Sequence, residues 1–107
     1  MKKLSIVILS SVMLASAAAA GAAVPVKLLG DPATSAQAQR TIVITPETRY
    51  VNVTEGEVVT FVENGQAFTW DFDSGAISSF ALNRVAPDGV LDHPVTAYVA
   101  RNLQMWD

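Results

Sequence analysis

Apolar and polar residues alternate most clearly from Glu57 to Asp73, and Asn64-Gly65 divides this stretch into two runs. Asn-Gly is the favoured pair for a two-residue type I′ turn, because both central residues take positive φ. A two-residue loop sets Glu63 opposite Gln66, Phe61 opposite Phe68, Val59 opposite Trp70 and Glu57 opposite Phe72. One face of the predicted hairpin then carries Val59, Phe61, Phe68, Trp70 and Phe72. A side chain of this class contributes about 1.5–3 kcal/mol when fully buried, so this face is the main source of a core. The other face, with Val58, Thr60, Val62, Ala67, Thr69 and Asp71, is mixed and suits either water or a partner.

Shorter runs flank the hairpin. Thr41 to Ile44 is β-branched and stopped by Pro46, and Tyr50 to Thr54 is closed by Glu55-Gly56. Ile77 to Leu82 reads as another short strand. Asn83 to His93 reads as a loop marked by Pro87-Asp88-Gly89, and Pro94 to Ala100 alternates again as a final strand. Residues 24–40 are small and polar with no apolar period, which predicts a loop or flexible arm over 23–40 ahead of a β domain over 41–107. Several short strands between turn signals predict an all-β domain, a small β-sandwich or barrel of antiparallel strands.

The chain begins differently. Lys2 and Lys3 precede an apolar run from Leu4 to Leu14 and the small residues Ala17 to Ala20. This order of charge, short apolar core and Ala-x-Ala triplets is that of a secretory signal peptide, expected over residues 1–22 with cleavage between Ala17 and Ala23. The apolar core is shorter than the roughly 20 residues of a membrane span, and no Cys offers a lipid anchor. The expected location is therefore the periplasm, with no membrane insertion after cleavage.

Processing leaves roughly 85 residues, one modest core, and five basic against ten acidic side chains. An acidic domain lacks the basic footprint that nucleic acid or an anionic membrane needs, and cations are the better match. With no cysteine, no disulfide supports the fold, which is held by packing or by pairing with a second subunit.

Candidates for chemistry are few. The single imidazole, His93, with Asp92 and either Ser78 or Ser79 makes a nominal triad, but no nucleophile elbow surrounds either serine, and serines in such loops are ordinarily turn residues. Asp71 and Asp73 share one face of a strand end, more often a solvated turn than a glycosidase pair. Asn52-Val53-Thr54 matches an N-glycosylation sequon by coincidence in a chain with a bacterial-style signal. The segment Pro87 to His93 offers one imidazole and the carboxylates of Asp88 and Asp92, a donor set that suits Cu(II), Ni(II) or Zn(II). A blue-copper centre is excluded without a thiolate, and the single mature methionine, Met105, does not make a Met-rich Cu(I) site. Against ligation stands the ordinary reading of a lone histidine before proline, a surface residue or a backbone hydrogen bonder. A two-fold dimer favours ligation if its axis brings two copies of His93 together.

Three runs, Thr41 to Val53, Phe61 to Phe72 and Val85 to Ala100, with Leu29-Gly30-Asp31 ahead of them, resemble the CzcE family over nearly the whole mature chain. The resemblance implies a periplasmic, homodimeric β-protein that binds Cu(II), accompanies heavy-metal resistance and has no enzymatic activity. It implies copper ligands drawn from imidazoles and aspartate carboxylates, some near the mature amino terminus. Val24 to Asp31 holds no histidine, so a site there would rest on the free amine and Asp31. Asp92-His93 keeps both ligand types adjacent, with Asp88 behind them. The expected function is copper buffering or sensing, with a metal-free interaction module of the same fold as the rival reading and a hydrolase as a distant third.

Overall fold

The Asn64-Gly65 hairpin forms with the register its turn dictates. In the computed structural model, which describes residues 24–105, strands β4 (Val58–Glu63) and β5 (Gln66–Asp71) pair antiparallel with Phe61 opposite Phe68 and Val59 opposite Trp70. Asn64 and Gly65 both take positive φ, 52° and 78°. The expected signal segment lies outside the described residues, as do Trp106 and Asp107.

The described residues form an all-β fold in two sheets, with only short 3-10 turns between strands. The first sheet adds β1 (Asp31–Pro32) and β2 (Arg40–Val43) to the hairpin in the order β1-β5-β4-β2. The second contains β3 (Tyr50–Thr54), β6 (Ser79–Ala81) and β7 (Thr96–Ala100) in the order β3-β7-β6. The inward face of the hairpin meets Val51 and Val53 of β3 and Ala97 and Val99 of β7 in one buried cluster. Phe61 stacks on Phe68 at 5.2 Å and meets Phe72 edge-on at 6.0 Å. Phe72 in turn lies 6.0 Å from Phe80 of β6, which joins the sheets by aromatic contact.

The sheets are mixed, not purely antiparallel as the sequence predicts. β2 pairs with β4 and β3 pairs with β7, both in parallel. The chain leaves the first sheet after β2, builds β3 in the second and returns as β4, so β2 and β4 run the same way. Hairpin chemistry specifies only neighbours joined by a tight turn, and crossovers of this kind carry no local signal.

Residues 29–33 and 39–40 are tied to the first sheet. Leu29 is wholly buried, β1 pairs with β5, and the Gln39 N–H and side-chain oxygen engage Val58 at 2.8 and 2.9 Å. The Trp70 indole N–H donates to the Leu29 carbonyl at 2.9 Å, deep in the fold. A segment with one apolar core residue, held otherwise by hydrogen bonds and by the Arg40–Glu57 ion pair, shows no apolar period, which is why its composition reads as an arm. Replacing Trp70 with phenylalanine keeps a buried ring but leaves that carbonyl unpartnered. The variant should lose about 1–3 kcal/mol in a denaturant melt, and an unchanged midpoint would show the bond to be dispensable.

Candidate metal centre

The alternation that sends Val59 and Phe61 inward also sends Glu63 inward, so the last residue of β4 is a carboxylate on the apolar face. Its side chain is 1% exposed, and neither oxygen has a hydrogen-bond partner. A buried carboxylate without hydrogen bonds is unfavourable, because the charge loses its hydration and the nearby His93 returns only part of that loss. Burial accordingly raises the Glu63 pKa above the usual carboxylate range, and the neighbouring Asp92 carboxylate pushes it the same way.

His93 comes to Glu63 from the segment leading into β7. Its Nδ1 lies 3.6 Å from Glu63 Oε2 and 2.7 Å from Asp92 Oδ1. Its Nε2 lies 2.8 Å from the Thr48 carbonyl oxygen, which can only accept, so Nε2 carries a proton. The hydrogen bonds to Asp92 and then to Thr48 hold the imidazole pKa above its ordinary value, against the opposing effect of burial. His93, followed by Glu63, lowers the Asp92 pKa. The side chain of Asp92 is 60% exposed and that of His93 15%, so the group has a closed inner side at Glu63 and an outer side reached by water.

Glu63, Asp92 and His93 each offer one donor atom, all within 4.8 Å of one another. A small divalent ion sits about 2.0–2.2 Å from imidazole nitrogen and carboxylate oxygen, which requires donors about 3 Å apart. The separations of 2.7 and 3.6 Å from Nδ1 bracket that value. With Nε2–H committed to a backbone carbonyl, Nδ1, hydrogen-bonded to Asp92 in the metal-free protein, is the nitrogen an ion would take by displacing its proton, the arrangement that fixes tautomer and ring orientation in metal-ligating histidines. The donor set is one borderline nitrogen and two hard oxygens, which fits a divalent transition ion.

Of the three expected ligands, the structure brings Asp92 and His93 together and leaves Asp88 apart. Asp88 is exposed in a turn closed by the Val90 N–H on the Pro87 carbonyl at 3.2 Å, and it is not in the donor group. Its place in Pro-Asp-Gly accounts for this, since that sequence selects a turn residue. Sequence reading missed Glu63, although its inward register on an otherwise apolar face marked it. Ser78 and Ser79 are exposed, and the ring nitrogens of His93 face Asp92, Glu63 and Thr48. Asp71 stands opposite Asp31 across β1 and β5. Its pKa is raised by partial burial, then by Asp73 and Asp31.

The model of the heavy-metal resistance protein CzcE family matches residues 27–104. The crystal structure of apo-form CzcE from C. metallidurans CH34 is similar at 37% identity and a TM-score of 0.64, covering 70% of this chain and 84% of that one. Among curated protein sequences, none matches the chain.

Proposed function

The chain belongs to the CzcE family of heavy-metal resistance proteins, and on that footing we propose that it is a periplasmic accessory protein that binds Cu(II) through His93, Asp92 and Glu63. The observation that carries the reading is the buried carboxylate of Glu63, whose oxygens have no hydrogen bond, beside an imidazole whose Nε2 is already committed. A divalent cation is the partner that would satisfy a Glu63 oxygen and the Asp92–His93 pair together. The role is sequestration: the ion is held by two carboxylates and one imidazole, and the free concentration in the compartment falls. The family is one of resistance proteins and not a known enzyme family, which agrees with the sparse nucleophiles of the sequence. The periplasmic location rests on the signal-like residues 1–22, and the homodimer on the small, cysteine-free core.

His93→Ala tests the assignment. Removing the only nitrogen donor should weaken Cu(II) binding by more than about 100-fold, beyond the effect of losing an outer-sphere partner. The measurement is a Cu(II) titration of the mature protein followed by EPR, in which the nitrogen coupling of the wild-type spectrum should vanish. Equal binding by variant and wild type would remove the ligand assignment and favour the metal-free interaction module. Sedimentation of the same samples is expected to show a dimer.

A further inference from the structure

We propose that Asn83 is the positioning residue that presents His93 to the ion, through a side-chain amide that spans Pro94; the inference rests on the metal reading above. Between His93 and Val95 the regular ladder of sheet bonds is interrupted, because Pro94 has no N–H and β7 begins only at Thr96. Asn83 supplies both missing bonds. Its Nδ2 donates to the His93 carbonyl at 2.9 Å, and its Oδ1 accepts from the Val95 N–H at 2.9 Å. A carboxamide is the side chain that offers a donor and an acceptor side by side at this reach.

Asn83 is itself fixed. It sits in the 3-10 turn Leu82–Arg84, whose Leu82 is wholly buried and whose Leu82 N–H donates to the Val95 carbonyl at 2.8 Å. The ring of His93 is held at its far end by the Thr48 carbonyl, in a turn closed by the Thr48 N–H on Thr45 O at 3.0 Å. Backbone clamp and ring clamp come from different parts of the chain and meet at one residue. Together they leave Nδ1 facing Glu63 and Asp92, with the imidazole restrained at both ends. Without the Asn83 clamp, the His93 backbone can shift while the ring follows Thr48, and the distance from Nδ1 to Glu63 is no longer set.

The test compares wild type, Asn83→Ala and Asn83→Asp by Cu(II) affinity and by EPR at saturating copper. Asn83→Asp keeps the acceptor for Val95 and loses the donor to His93. Both variants should bind Cu(II) about 10–100-fold more weakly, the range for loss of an outer-sphere partner. Their saturated spectra should also differ from wild type, which mere destabilisation of the fold would not produce. Affinity within twofold of wild type together with an unchanged spectrum overturns the proposal. Should Asn83→Ala fail to fold by circular dichroism, Asn83→Asp decides alone. If His93→Ala binds copper as well as wild type does, the metal reading fails first and this inference with it. A wild type that loses binding on His93→Ala but not on either Asn83 change defeats this inference alone.

Discussion

Glu63→Gln is expected to strengthen the metal-free fold and to abolish high-affinity metal binding in the same molecule. The substitution keeps the shape of the side chain and removes the buried charge. In the metal-free protein Glu63 has a raised pKa, so its protonated form is the one the fold prefers. The linked stability is fully present below the ordinary carboxylate value and is lost as pH rises through the raised one. His93, also raised, contributes in the same sense: its ion pair with Asp92 is present below the ordinary imidazole value and is lost as pH climbs through the raised one. Asp92 is lowered and acts in the opposite sense, losing its contribution only as pH falls below the ordinary aspartate range. The wild-type metal-free domain should therefore become less stable between about pH 5 and 8. The glutamine variant lacks the Glu63 part of that decline, so its advantage in Tm should grow with pH.

Metal reverses the order. Glu63 ends β4 in the first sheet, whereas Asp92 and His93 lead into β7 in the second, so an ion held by all three joins the two sheets. An ion that binds only the folded state raises its stability by mass action. Cu(II) should raise the Tm of the wild type and leave that of Glu63→Gln nearly unchanged, with affinity lower by more than about 100-fold. Paired melts at pH 6 and pH 8, with and without copper, check both halves. A variant that is less stable than wild type without metal, or that binds copper equally well, would show Glu63 to be a structural residue. An unfavourable side chain at a functional site, relieved by its ligand, is the general form of such a trade between stability and activity.

The same residue shows how much the amino-acid order discloses. Asn64-Gly65 and the flanking alternation fix the hairpin register without tertiary information, and that register alone puts Glu63 beside Val59 and Phe61. A charged residue on a core face is thus visible in the sequence, and its meaning appears once His93 is found beside it. His93 and Asp92 are recognisable by chemistry, since they are the single imidazole and its neighbouring carboxylate. Their contact with Glu63 is not, because it spans β5, β6 and the loop after them. The parallel pairs β2–β4 and β3–β7 are hidden for the same reason. By its sequence Asn83 reads as the first residue of a loop, and its two bonds to the backbone around Pro94 are ones that no side-chain pattern announces.

Gly30→Ala is expected to detach the amino-terminal segment from the fold. Gly30 has φ 126° and ψ −155°, a region open essentially to glycine. A methyl group there would lie 2.1 Å from the Asp71 carbonyl oxygen and 2.6 Å from Trp70 Nε1. Neither obstacle is the end of a flexible side chain: one is backbone at the end of β5, the other the indole nitrogen that bonds Leu29 O. Backbone strain and overpacking each cost about 1–3 kcal/mol, a large share of the roughly 5–15 kcal/mol that holds a small domain together. Relief comes by moving residues 29–32 off the sheet, which breaks the β1–β5 pairing and withdraws Leu29 from the core. Hydrogen exchange should then show faster exchange at Ala33, whose N–H donates to Thr69 O, and at the Trp70 indole, along with a lowered Tm. Gly65→Ala is the control, because φ there is also positive at 78° but the position has nothing within 4 Å. That variant bears backbone strain alone, and it should melt well above Gly30→Ala. Equal melting of the two would mean that the close approach to Asp71 and Trp70 contributes nothing, and that the segment is held by Leu29 burial instead.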